Sequence, residues 1–113
     1  LVELLVMALF PFSTVALTSL TATGVTPSVK VVSKSLTFQI TTSGISTNVV
    51  IRMEGSLDDT NFFNLDENEL DSTLTANGTF AFALDGTPVK FVRVRLVSIS
   101  GGTPTVASVV GAA

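Results

Sequence analysis

The side chains available for chemistry in this chain are nine carboxylates, six lysines and arginines, and many Ser and Thr hydroxyls; histidine, cysteine, tyrosine and tryptophan are absent. The commonest general base, the commonest metal ligand and the best nucleophile are therefore missing. What remains is the chemistry of carboxylates, which serve glycosidases in pairs across a cleft and serve calcium as clustered oxygen ligands. Six of the acids fall in one stretch, Asp58, Asp59, Asp66, Glu67, Glu69 and Asp71. Their spacing fits no EF-hand loop, and glycine is missing where such a loop turns. No hydroxyl stands beside a base that would orient it. The reading is a chain with no catalytic residue, no cofactor site and no metal site, and calcium at the acidic stretch is the competing reading. Without calcium, residues 58–61 form a tight turn whose side chains bond local amides, and residues 66–71 form a solvated connection.

The elements that position these groups follow from alternation. From Ser13 onward, small polar and apolar residues alternate with Thr and Val throughout, which is the period of a half-buried strand. Val15, Leu17 and Leu20 mark a first strand ending near Gly24, and residues 29–32 a second. Leu36, Phe38 and Ile40 share one face of the next, which Ser43-Gly44 turns. Val49, Ile51 and Met53 face inward on a further strand with Arg52 and Glu54 outward. A short strand covers residues 62–65. Asn77-Gly78 between residues 73–76 and 79–84 is a strong hairpin signal, with Phe80, Phe82 and Leu84 in the core. Val92, Val94 and Leu96 alternate with Arg93 and Arg95 on the longest strand, and Gly101-Gly102 leads to a last one over residues 105–110. About seven to nine short strands with turns between them predict an all-β antiparallel sandwich, Ig-like or jelly-roll-like. A closed barrel is the alternative. The three arginines are expected to pair with Glu54 and neighbouring acids across the sheet face.

Length and composition narrow the rest. The 113 residues suit one domain. Charged residues make up 13% of the chain, against about 25% in typical soluble proteins, so part of the surface is expected to lie against neighbours. A net charge of -3 with scattered cations argues against nucleic-acid binding. The apolar stretch over residues 1–10 is stopped by Pro11, short of the roughly 20 residues of a membrane span. It carries Glu3 and no basic flank, unlike a secretory signal. Residues 1–12 therefore read as an extended or short helical N-terminal arm, or the part before Met7 as an upstream extension ahead of a true start there, and residues 13–113 as the sandwich. Leu4, Leu5, Leu9, Phe10 and Phe12 are the expected assembly interface, since each large apolar side chain gains about 1.5 to 3 kcal/mol on full burial.

Two resemblances bear on function. Leu1-Val2-Glu3-Leu4-Leu5-Val6 looks like the start of the hydrophobic helix of type IV pilins, although Pro11 opposes its continuation. A wider likeness is carried by Arg52-Met53-Glu54-Gly55-Ser56-Leu57-Asp58-Asp59-Thr60-Asn61-Phe62-Phe63-Asn64-Leu65, by Phe91-Val92-Arg93-Val94-Arg95-Leu96, and by Ser100-Gly101-Gly102-Thr103. These segments resemble small phage structural proteins in which a strand ending E-G-S precedes L-D-G-T-N-W-F. Asp59 stands where that pattern has Gly, and Phe62 where it has Trp. The resemblance implies a virion part such as a head decoration or cement protein, or a tail or fibre component. Its partners are then its own copies and virion proteins such as the major capsid protein, and its place is the outer shell or tail, extracellular on release. It also implies a structural corner of Glu54, Gly55, Asp58, Asn61, Phe62 and Phe63, with Phe62 or Phe63 buried as the anchor. A glycan-binding or adhesion module and a pilin-like filament subunit are the alternatives, and the first ordinarily shows Trp or Tyr platforms.

Overall fold

A computed structural model describes residues 13–112 of the chain. The expected arm, with Leu4, Leu5, Leu9, Phe10 and Phe12, lies outside the described residues. Within them the chain is all β: β1 (Ser13–Leu20), β2 (Gly24–Val25), β3 (Val29–Ser56), β4 (Phe63–Asn64), β5 (Ser72–Leu74) and β6 (Gly78–Ala112). All pair antiparallel in one sheet of order β1-β6-β3-β4, with β2 on β6 and β5 on β3.

The short strands expected from the sequence are fused into two long ones that bend at the expected turns. Strand β3 has 28 residues and β6 has 35. Laid flat they would reach roughly 90 Å and 115 Å at about 3.3 Å per residue, yet the molecule is only 50 Å in its longest dimension. Both strands therefore fold back, and β6 meets β3 along several separate stretches. Leu36 pairs with Leu84 on one side and Ala112 on the other, while further along Asn48 pairs with Ser100 and Ser56 with Phe91. The sheet closes over its own apolar face as a sandwich. Leu36, Phe38 and Ile40 from the first half of β3 share one core with Val49, Ile51 and Met53 from the second half. Val92, Val94, Leu96, Val106 and Val110 of β6 complete it.

The two bends sit back to back. Gly44 has φ +71° and Gly102 φ +72°, and Ile45 pairs with Gly102. A Cβ on Gly44 would lie 2.4 Å from the Thr103 carbonyl oxygen, and one on Gly102 would lie 2.6 Å from the Gly44 carbonyl oxygen. Left-handed backbone and close approach both require glycine here. Gly44→Ala is expected to destabilise the fold by about 2 kcal/mol or more, from the αL cost together with the clash. Thermal unfolding followed by circular dichroism checks it, and an unchanged midpoint would contradict the backbone contact.

Asn77-Gly78 makes a different connection from the one its dipeptide predicts. The strand before it, β5, pairs with β3 at residues 49–51. The strand after it pairs with β3 at Leu36 to Thr42, further back along β3 and in the same antiparallel sense, with Gly78 opposite Thr42. The pair therefore joins two separate places on β3 and is no hairpin tip. Asn77 is held there by its own Oδ1, which accepts the Ile45 N–H at 2.9 Å, while the Thr42 hydroxyl donates to the Ala76 carbonyl at 3.1 Å. Long-range pairing with β3 has overridden the local turn preference.

Candidate functional site

The charged residues collect where the second half of β3 lies beside β6. Strand register places Glu54 opposite Arg93 and Arg52 opposite Arg95, all on the face away from the core. Glu54 is nonetheless buried, at 3% exposure. Its Oε1 accepts from Arg93 Nε at 2.7 Å and its Oε2 from Arg95 Nε at 3.0 Å, with Arg52 Nη1 3.6 Å from Oε2. Arg52 turns its fork onto Asp71, Nε to Oδ1 at 2.7 Å and Nη2 to Oδ2 at 3.1 Å, and Asn64 Nδ2 donates to the same Asp71 Oδ1. The Arg93 guanidinium lies 3.7 Å over the centroid of Phe62. Pairing of the three arginines with Glu54 is thus as the alternation predicts. Asp71 carries no spacing signal that links it to Arg52.

The loop after β3 is built by its own side chains. Ser56, fully buried, donates its hydroxyl to Asp58 Oδ1 and accepts the N–H groups of Asp58 and Asp59 at 3.1 Å and 3.0 Å. Asp58 Oδ1 also accepts the N–H groups of Thr60 and Asn61, and Oδ2 accepts from Asn61 Nδ2. This is the Asx-type turn read from residues 58–61. Asp59 has φ +61°, so it accepts the left-handed conformation that the phage pattern gives to glycine. Ser28 donates to the Asp59 carboxylate and ties the loop to the chain before β3. Ser56 was not singled out in the sequence, although a serine two residues before an aspartate is the local signal for such a turn.

The six corner residues do come together, with different roles from those expected of the rings. Glu54 and Gly55 pair with Asn64 and Phe63 of β4. Phe63 is 41% exposed and Phe62 half-buried, so neither ring is a core anchor. The anchor is Leu65, which is buried and packs where a Gly55 Cβ would sit, 2.8 Å from Leu65 Cδ2 and from Val89 Cγ1. Phe62 lies just ahead of β4 and takes Arg93 over its ring instead of core, while Phe63 within β4 stays exposed.

Electrostatics follow from these contacts. Burial pushes the Glu54 carboxyl up, and the hydrogen bonds and charges of Arg93 and Arg95 outweigh it and hold it below its ordinary value. The Asn61 and Thr60 donors hold Asp58 well below the usual carboxylate range, and the Arg52 hydrogen bond lowers Asp71. A carboxylate lowered in the folded state contributes stability that is present above its unfolded value and is lost as pH falls through the folded one. The melting midpoint is therefore expected to hold from pH 7 to about 5 and to fall steeply below about 4. A midpoint unchanged down to pH 2 would contradict these contacts.

Chemically, this arrangement consumes its own charges. Among the described residues no group of three or more His, Cys, Asp or Glu is placed to hold a metal ion, and no helix is long and apolar enough to cross a membrane. Asp66, Glu67 and Asp85 line an open cleft of about 510 Å³ with Leu65, Ala83, Leu84, Gly86 and Thr87. The fold and the cluster together define an all-β domain with a salt-bridged corner on the outer face of a folded-over sheet. No protein-family model matches the chain, and no curated protein matches it in sequence. In structure it is similar to a prophage-derived protein of SPBc2, YomS, with a TM-score of 0.54 at 15% identity over 89% of this chain and 95% of that one. At that identity the likeness is one of fold.

Proposed function

We propose that this chain is a non-enzymatic structural protein of a phage particle, present in many copies as a capsid decoration or cement protein or as a tail or fibre component. The observation that carries the reading is the fold shared with a prophage-derived protein across nearly the whole of both chains. The phage-like corner supports it, because its carboxylates and arginines are spent on one another and on loop amides. Its partners are further copies of itself and other virion proteins such as the major capsid protein, with no nucleic acid among them, and it resides on the outer shell or tail. The apolar residues 1–12 serve as an arm that buries Leu4, Leu5, Leu9, Phe10 and Phe12 against a neighbouring subunit.

Mass spectrometry of purified particles from the native source, with antibody labelling under the electron microscope, tests this directly. The chain is expected at many copies per particle and on a regular lattice or fibre. Recovery of the chain only as a soluble protein, with none in particles, would overturn the reading. A chain beginning at Ser13 is expected to fold with little change in melting midpoint and to lose incorporation, and normal incorporation would remove the arm's role.

A further inference from the structure

We propose that the free edge of β6 at residues 79–84 is a self-association surface, on which a second copy of the chain lays the same strand antiparallel and continues the sheet across a two-fold axis. This deepens the structural reading above and rests on it for the presence of many copies. Thr79 pairs with Thr41 and Leu84 with Leu36 on one side of the strand. Among the described residues no strand pairs with the other side. Such an edge presents N–H and C=O groups that an extended segment satisfies. Edges that remain single are usually guarded by a lysine, a proline, a bulge or an inward charge. Thr79-Phe80-Ala81-Phe82-Ala83-Leu84 has none of these.

The core supplies an independent observation. Phe80, Phe82 and Leu84 point inward and pack on the core, yet each is only partly buried. Leu36, Phe38 and Ile40, directly across the ladder, are 2%, 0% and 0% exposed. The sandwich is therefore open along this edge by a row of three large side chains. The cleft between Ala83 and Leu84 and the loop at Leu65, Asp66 and Glu67 leaves the end of the strand uncovered.

Self-complementarity selects a second copy as the occupant. A pair centred on Phe82 sets Phe80 against Leu84 and Ala81 against Ala83, so that large side chains meet on the core side and small ones outside. Asp85 then faces Thr79 of the other copy. The two Asp85 carboxylates stand about 20 Å apart at about 3.3 Å per residue, beyond the Debye length of about 8 Å at physiological salt. Like-charge repulsion does not oppose the pairing.

The test is sedimentation of the full chain against the double variant Ala81→Lys/Ala83→Lys, whose altered side chains are exposed in the monomer. The variant is expected to keep its melting midpoint and to halve the mass of the wild-type species. Thr14→Lys/Ala16→Lys on the exposed face of β1, the strand at the opposite end of the same half-sheet, is expected to leave that mass unchanged. A monomeric wild type, a β6 variant that stays associated, or dissociation by the β1 variant alone would each overturn the assignment, the last in favour of head-to-tail contact. If the β6 variant does not fold, hydrogen exchange of the wild type decides. Protected amides at residues 79–84 on the side away from β3 support pairing, and exchange as fast as in the loops overturns it. A chain found in particles yet monomeric in solution overturns the edge alone, and an edge-paired dimer absent from particles overturns the particle reading alone.

Discussion

Glu54→Gln is expected to lower the unfolding free energy by about 3 kcal/mol, a large share of the roughly 5 to 15 kcal/mol that holds a domain together. The carboxylate is buried and takes both Arg93 and Arg95 on its two oxygens. The amide that replaces it is similar in shape but carries no charge, so two guanidiniums are left against each other. Removing one partner of a buried ion pair costs about 3 to 5 kcal/mol, mostly through the charge left behind. The lower end applies because the Arg95 side chain, at 36% exposure, can turn to water. Chemical denaturation followed by circular dichroism measures this. Arg93→Met added to Glu54→Gln is expected to recover part of the loss, since an apolar side chain of similar length leaves no orphan charge. A loss below about 1 kcal/mol for Glu54→Gln would show that water already screens the cluster, as it does for surface pairs.

The second large effect is expected at Phe38, which is wholly buried at the centre of the core. It pairs with Phe82 on one side and Val110 on the other, both on β6. Phe38→Ala removes the ring and leaves a cavity between two passes of that strand, at a cost of about 3 to 5 kcal/mol. Phe62→Ala is expected to cost much less, about 0.5 to 2 kcal/mol, since it loses half-exposed surface and one cation–π contact. Equal losses at the two positions would contradict the assignment of Phe62 to the outer face. The comparison isolates burial from residue type, because both substitutions remove the same ring.

Alternation carried much of this architecture. The inward positions Leu36, Phe38, Ile40, Val49, Ile51, Met53, Val92, Val94 and Leu96 all lie in the core, because period 2 places every second side chain on one face whatever the strand's partner. Turn chemistry was legible where the turn is local. Ser43-Gly44, Gly101-Gly102 and the Asx turn at Asp58 each depend on residues within a few positions, and each is where the sequence places it. It failed at Asn77-Gly78, where the neighbouring strands are claimed by two separate stretches of β3.

By itself, then, the sequence determined an all-β chain, the face of each strand, the bends that allow two long strands to double back, and the opposition of arginines to Glu54. It could not show that Glu54 would be buried on an outward face, since its carboxylate is enclosed by the Arg93 and Arg95 side chains that bond to it. Those arginines are 39 and 41 residues away along the chain. Nor could it show that Leu65 rather than a phenylalanine fills the space beside Gly55, or that residues 79–84 end as an open edge. Each of these depends on which segments meet across long stretches of chain, and only the closing of the sheet on itself decides that, because face and turn are local properties while pairing partners are not.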